Sequence, residues 1–311
     1  MAWTIYGVFA GLGLLQGFIS LLSGIRAWLF ARKDLRTPPR VPLEQATVIM
    51  PCKGAEATLA RTVAALLAQE HSDYELLFVV ESADDPACAI IRSAGVAPAG
   101  ARDAGAPVAR LVVAGVSPER SRKVHNLLAG VAAARPESTV LIFMDSDAVP
   151  GPLHLARLTT RLHKPHIGAT TGYRWYIPSG GLVPAVCCIW NAAALTLLGS
   201  HRHNFCWGGS TAIRREVFER VGVRAAWQCA LSDDYQLTRC VREAGLGIRF
   251  VPGCVVSTAA PSRWRDFLGF AHRQFVITRV CGPRLWTLAT IWCALFCGLL
   301  ASGAVSAVRW L

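Results

Sequence analysis

The chain has 311 residues, 53% of them hydrophobic and 17% charged, with a formal net charge of +12 and a mean hydropathy of +0.37. Soluble domains run nearer ~45–50% apolar, and a protein made only of membrane spans would carry fewer charges, so the composition fits a soluble domain on a few hydrophobic anchors. Disorder, a collagenous fibre and a secreted disulfide mini-protein are excluded, and the length allows about two domains at most.

Residues 3–29 are apolar apart from Gln16 and Arg26, enough to cross a ~30 Å hydrocarbon layer. No basic residue precedes this run, whereas Arg26, Arg32, Lys33, Arg36 and Arg40 follow it. A cleaved secretory signal has the opposite order of charges. Residues 1–30 are therefore read as an uncleaved N-terminal transmembrane anchor, and 31–45 as a basic linker stiffened by Pro38, Pro39 and Pro42. The basic surplus is read first as a positive-inside topology signal. The 11 cysteines show no CxxC pair and no zinc-like Cys/His spacing, the pattern of reduced, apolar cysteines facing the cytoplasm.

Short β-branched or apolar runs follow at 46–50, 75–80, 108–113 and 140–144, as expected of buried parallel strands. Helical patterns lie between them at 57–69, 86–94 and 122–134, and a Gly/Ala/Pro-rich loop at 95–107. Strand–helix alternation predicts a doubly wound α/β sheet, extended on its substrate side by the shorter strands and helices after Gly168. The run 181–199 is nearly span-length but is read as a buried or membrane-surface helix. If it crossed the bilayer, acidic clusters on its two sides would lie on opposite faces of the membrane. Residues 261–284 carry Arg263, Arg265, Arg273 and Arg279 among Trp264, Phe267, Phe270 and Phe275, the make-up of an amphipathic membrane-surface helix. The apolar run 285–308 is a C-terminal transmembrane helix, with Arg284 and these arginines on the same side as the basic flank of the first anchor. The domain between, 46–260, is placed in the cytoplasm.

Two acidic clusters carry the chemistry. Asp145-Ser146-Asp147 follows a predicted buried strand, and ligands of open α/β sheets bind beyond the carboxyl ends of strands. Aspartates two apart there can share a divalent cation with phosphate oxygens; the plainer reading is a turn whose Asp caps the next helix. Ser232-Asp233-Asp234-Tyr235 opens a helix, where Ser and Asp are favoured for capping, but sugar transfer also needs a carboxylate within reach of the acceptor hydroxyl. Gly208-Gly209-Ser210 is either a phosphate-binding turn or a lining of the sugar site. Tyr173, Arg174 and Trp175 either stack on a ligand or pack, and His201 and His203 are either ligand-site groups or exposed loop histidines.

Seven segments come in order: PCKG (51–54), VESADDPA (80–87), KVHNL (123–127), DSD (145–147), WGGSTAIRRE (207–216), SDD (232–234) and an Arg/aromatic stretch before the last span. In this the chain resembles a membrane-anchored family 2 glycosyltransferase, of the ceramide glucosyltransferase type and its hopanoid-associated bacterial relatives. The resemblance implies a GT-A fold, with a Rossmann-like nucleotide-binding half, an acceptor half and terminal transmembrane helices. It also implies a UDP-sugar donor, Mg2+ or Mn2+, and an inverting displacement onto the hydroxyl of a lipid such as ceramide or a hopanoid. It assigns Pro51, Lys53, Glu81, Asp84, Asp85, Lys123, Asn126, Asp145 and Gly209 to the nucleotide-sugar, with Asp84 or Asp85 at the base or ribose and Lys123 at the diphosphate. Asp147 and Asp145 serve the metal, Asp234 is the general base with Asp233 its acidic neighbour, and Arg273 contacts the diphosphate. His201, Trp207 and Ser210 become acceptor-site candidates. The family's Q/RxxRW motif is matched here only at Arg273: Phe270 and Gln274 replace the Gln/Arg and the Trp, and Glu81 replaces an expected Asp.

The implied partners are donor, lipid and membrane, in a bacterial inner membrane. A polyprenyl phosphate acceptor and a non-catalytic scaffold for anionic lipid are the competing readings. A dehydrogenase is disfavoured, because no GxGxxG follows the first strand. Nucleic acid is excluded by the two spans and the lack of a binding module.

Overall fold

The computed structural model describes residues 2–39, 44–94, 96, 108–117, 119–199 and 203–308. Most of the 95–107 loop and the end of the proline-containing linker, including Arg40 and Pro42, lie outside these residues. In chain order the elements are helix α1 (Ala2–Leu35), β1 (Ala46–Pro51), α2 (Leu59–Leu67), β2 (Tyr74–Val80), α3 (Pro86–Ser93), β3 (Val108–Val113), α4 (Arg122–Ala133) and β4 (Val140–Met144). There follow α5 (His154–Thr160), a 3-10 turn (Arg161–His163), β5 (Ile167–Ile177), α6 (Leu182–Leu195), β6 (Ser210–Arg214), α7 (Arg215–Arg220) and α8 (Val223–Ala226). The chain ends with α9 (Asp233–Glu243), β7 (Gly247–Ala259), α10 (Trp264–Cys281) and α11 (Pro283–Val308).

Period-2 alternation distributes the apolar side chains of the central strands to both faces of the sheet. On one face Val48, Met50, Phe78, Val80 and Ile142 pack under α2, α3 and α5. On the other, Ile49, Leu77, Val79, Leu141 and Phe143 pack under α4, α9 and the Trp227–Phe218 pair. Burial on both faces is why these strands read as continuous apolar runs. The sheet has seven strands in the order β3-β2-β1-β4-β6-β5-β7. All neighbours are parallel except β6, which runs antiparallel to β4 and β5. The chain winds outward from β1 to β3 and then returns to β4 on the other side of β1. The strand order therefore reverses between β1 and β4, the position at which such sheets bind ligands.

Helices α1 and α11 are long and apolar enough to cross a membrane, and they lie side by side. A Cβ on Gly13 would come 2.6 Å from Leu299 Cδ2, and one on Gly298 2.6 Å from Phe9 Cε1; small residues let apolar helices approach this closely. The base of α1 is fastened to the sheet. Buried Asp34 meets Arg249 Nη2 at 2.5 Å and Arg161 Nε at 3.4 Å, and Phe30 stacks on Phe250 with ring centroids 6.3 Å apart. Two arginines here compensate a carboxylate at a helix C-terminus, where the helix dipole disfavours it.

The run 181–199 contains α6, a helix of 14 residues, which at ~1.5 Å per residue is shorter than the ~30 Å hydrocarbon layer. Its inner face packs Val183 and Cys187 against Tyr176 and Phe267, and Trp190 meets Phe267, Phe270 and Phe275 of α10. Leu182, Ile189 and Leu197 on α6 and its end, and Trp264, Leu268, Phe275 and Val280 on α10, stay exposed.

Candidate active site

β4 leaves the sheet at Met144, so Asp145, Ser146 and Asp147 stand at its carboxyl end. Opposite them α4 begins, capped by Ser121, whose hydroxyl accepts from Val124 N at 3.4 Å; its first turn presents Lys123. Lys123 Nζ lies 2.7 Å from Asp145 Oδ1 and 3.2 Å from Asp233 Oδ2, and donates to Gly208 O at 3.2 Å. Arg174 reaches in from β5. Its Nη2 is 3.1 Å from Asp147 Oδ1 and 3.7 Å from Asp145 Oδ2, while Nη1 donates to the Tyr176 hydroxyl at 3.2 Å. The guanidinium lies 5.6 Å from the Tyr176 ring centre and 5.3 Å from that of Trp207.

These contacts set the charges. Burial alone would favour a neutral Lys123, but Asp145, Asp233 and Asp234 around it hold the ammonium charged. Burial likewise opposes ionisation of Asp145, but Lys123 and Arg174 on its two sides hold its carboxyl below the usual range. Burial, aided by the neighbouring Asp145, raises Asp147 despite Arg174. Asp233 is pushed up to about 6, by burial and by Asp234 and Asp145, against the pull of Lys123. Glu56, after the first strand, accepts from Ser146 Oγ at 2.5 Å, and burial raises it as well.

The glycines of the WGGS segment are there for close approach. A Cβ at Gly208 would lie 2.5 Å from Asp233 Oδ2 and 2.7 Å from Lys123 Nζ, and one at Gly209 would lie 2.8 Å from Asp145 Oδ2. The turn is thus a wall of the charged cluster, and neither glycine has the positive φ found elsewhere in the chain.

The capping reading fails for Asp145 and Asp147 and holds only in placement for the second cluster, where Ser232 is the N-cap and Asp233 and Asp234 lie in the first turn of α9. The residue that caps α5 is Leu153, with no side-chain bond to the helix; Asp145 and Asp147 face the cations instead. Ser232 stands at the N-cap of α9 but makes no side-chain capping bond there. Its hydroxyl donates to Asp234 Oδ1, which also accepts from Tyr235 N at 2.8 Å. The Tyr235 hydroxyl is 2.8 Å from Thr278 Oγ1 on α10.

The remaining predicted residues fall into distinct places. Pro51 and exposed Lys53 sit at the end of β1. Asp85 caps α3 through Ala87 N at 2.9 Å and accepts from Gly54 N at 2.7 Å, tying the PCKG turn to the ESADDP turn. Asp84 beside it is exposed, and Glu81 is 3.7 Å from Arg122. Asn126 points into the sheet, not the cleft: it is buried and donates to Val79 O at 3.3 Å. Ser210 likewise cannot face an acceptor. It is fully buried, and its hydroxyl pairs at 2.8 Å with His154 Nε2, an imidazole that burial lowers to about 3. Trp207 is half-buried against Arg174 and Tyr173. Arg273 is exposed on α10, 5.8 Å over the Phe270 ring, and its charge is among those lowering Asp145. His201 lies outside the described residues.

Sequence reasoning passed over Glu56 and Tyr235, and left Arg174 divided between stacking and packing.

The sequence profile of glycosyl transferase family 21 matches residues 9–310. The chain belongs to that family. This is the ceramide glucosyltransferase family, in the same clan as family 2; the hopanoid-associated affinity of the sequence resemblance is not part of this finding. Among solved structures the family 21 chain is similar to the mannosyltransferase PcManGT from Pyrobaculum calidifontis in complex with GDP-Man and Mn2+. The two share 19% identity over 98% of this chain and 86% of that one, with a TM-score of 0.60. Glucosyl-3-phosphoglycerate synthase from Mycobacterium tuberculosis, solved with Mn2+, UDP-Glc and phosphoglyceric acid, shares 20% identity over 77% of this chain and 80% of that one, at a TM-score of 0.48. No curated protein sequence matches the chain. The fold is GT-A, and the protein is a glycosyltransferase.

Among the described residues, no group of three or more His, Cys, Asp or Glu side chains is arranged to hold a metal ion by itself. Mg2+ and Mn2+ prefer hard oxygen donors, and Mg2+ is often held by one or two carboxylates together with substrate phosphates. Asp147 and Asp145 offer such oxygens at the strand end, on carboxylates already paired with a cation, so the donor set fits an ion shared with a nucleotide-sugar.

Proposed function

We propose that this family 21 enzyme transfers a sugar from a UDP-sugar to the hydroxyl of a membrane lipid, ceramide, hopanoid or similar, with inversion. The setting is the cytoplasmic face of a bacterial inner membrane. The observation that carries this reading is the meeting of Lys123, Arg174, Asp145, Asp147 and the Asp233–Asp234 pair at the strand reversal. That site lies in a chain whose two span-length helices bracket it and whose α6 and α10 carry exposed apolar side chains.

In the proposed reaction the acceptor oxygen attacks the anomeric carbon as the bond from that carbon to the diphosphate oxygen breaks. Asp234 receives the hydroxyl proton. Ser232 and Tyr235 N–H both bind its Oδ1, which fixes the carboxylate. Asp233, half-neutral near pH 6, limits the negative charge beside that base. Asp147, with Asp145, would hold Mg2+ or Mn2+, which supplies charge neutralisation for the leaving diphosphate. Lys123 stands next to that position, and Arg273 approaches from the membrane side. The arginines that flank α11 and the basic end of α1 favour the cytoplasmic side for this face.

The test is transfer by the full-length protein in liposomes that contain a bacterial lipid extract, with Mn2+ and a panel of radiolabelled UDP-sugars. Label in a neutral glycolipid is expected with one of them. Label on a polyprenyl phosphate would replace the acceptor assignment, and no labelled lipid with any donor would reject it.

A further inference from the structure

Arg174 is bonded incompletely for a permanent structural arginine. Its Nη2 spans Asp147 at 3.1 Å and Asp145 at 3.7 Å, one nitrogen between two carboxylates, instead of the two-pronged grip that makes Arg–carboxylate pairs specific. Its Nε is buried with no hydrogen-bond partner, and a buried donor left unpaired is unfavourable. The rings of Tyr176 and Trp207 hold the guanidinium plane in place. A charged fork is thus kept in the site with a donor to spare, and it lies against the very carboxylate assigned to the divalent cation.

We propose that Arg174 is a placeholder cation: with no donor bound it neutralises Asp147 and Asp145, and it must give up Asp147 before a divalent cation can take that carboxylate. The inference rests on the metal reading given above. Two positive charges cannot share Asp147 without repulsion. Arg174 therefore weakens cation binding to the empty site. It is left by the aromatic rings near enough to turn its Nε and Nη donors to a diphosphate. A bound diphosphate adds the negative charge that both cations need, so donor and cation bind cooperatively. The device would keep the two aspartates paired between turnovers and make loading of the ion depend on the donor.

The experiment measures Mn2+ binding by electron paramagnetic resonance on the full-length protein in nanodiscs, with and without UDP. Four proteins are compared: wild type, Arg174→Gln, Arg174→Lys and Asp147→Asn. Without UDP, Arg174→Gln should bind Mn2+ about tenfold more tightly than wild type, a change of ~1.4 kcal/mol. Arg174→Lys, which keeps the charge, should not gain affinity. The increase in Mn2+ affinity on adding UDP should be smaller in Arg174→Gln than in wild type. Unchanged or weaker Mn2+ binding in Arg174→Gln, or an equal gain in Arg174→Lys, overturns the placeholder. If in that case Asp147→Asn still loses the Mn2+ that wild type binds with UDP, the metal reading stands alone. Absence of Mn2+ binding by wild type even with UDP removes both.

Discussion

Lys123 meets Asp145 and Asp233 from one side of the cluster, and Arg174 meets Asp145 and Asp147 from the other. The carboxylates respond in opposite directions. Asp145 is lowered, so the stability it contributes is present above its ordinary 3.8 and is lost as the pH falls through its depressed value. Asp233 is raised, so its contribution is full below 3.8 and is lost as the pH rises through about 6. In Lys123→Met both carboxylates lose their cation, and only ionised carboxylates miss it. The variant's melting temperature should therefore drop further below wild type at pH 8 than at pH 5. With Lys123 33% and Asp233 9% exposed, the loss at pH 8 should be about 2 kcal/mol, between the values for exposed and fully buried pairs. An equal drop at both pH values would show that the ammonium does not balance these charges. Asp145 and Asp147 were legible in the sequence because strand ends can be located there, and Lys123 only through the family resemblance of its segment. Arg174 was not, because its partners Asp147 and Trp207 are brought to it only by the pairing of β5 into the sheet.

The strands at 46–50, 75–80, 108–113 and 140–144 and the helices between them stand where the hydrophobic pattern puts them, with ends shifted by a few residues. Strands buried on both faces (β1, β2 and β4) and amphipathic helices carry that pattern in the chain itself; β3, expected to be buried as well, lies at the sheet edge and is only half-buried. The return of β6 antiparallel between β4 and β5 was not legible, since strand order depends on contacts distant in sequence. The same is true of the link between α9 and α10. Tyr235, next to the proposed base, bonds Thr278 at 2.8 Å, and its ring lies so close to Gly282 that a Cβ there would be 3.0 Å from Cε1. Gly282 is the joint between α10 and the span-length α11, so one tyrosine joins the proposed base to both of these helices. Tyr235→Phe, measured in nanodiscs, should lower kcat about tenfold, the loss of roughly one hydrogen bond's worth of positioning, with KM for the donor little changed. Thr278→Val should do the same, and the double variant should be no worse than either. A fall in stability with kcat intact would reduce the contact to packing.

At the scale of the molecule, a surplus of apolar residues and a surplus of arginine have separate uses. The apolar excess is divided between α1 and α11, which pack through Gly13 and Gly298, and the exposed faces of α6 and α10. The positive charge is divided between the flanks of these helices, the clamp of Arg161 and Arg249 on Asp34 that fixes α1 to β7, and the cations at the reversal of the sheet. The site consequently opens from a domain held at both ends by span-length helices, which suits an acceptor that does not leave the membrane. The central claim is that Asp234 takes a proton from a lipid hydroxyl, and the most direct measurement compares wild type with Asp234→Asn in the same liposomes. Donor binding and label transfer to lipid are followed in parallel. Donor affinity should stay within about threefold of wild type while transfer falls by ~10²-fold or more, the contribution of a positioned general base. Near-normal transfer by Asp234→Asn would contradict it and point to an acceptor that is already ionised.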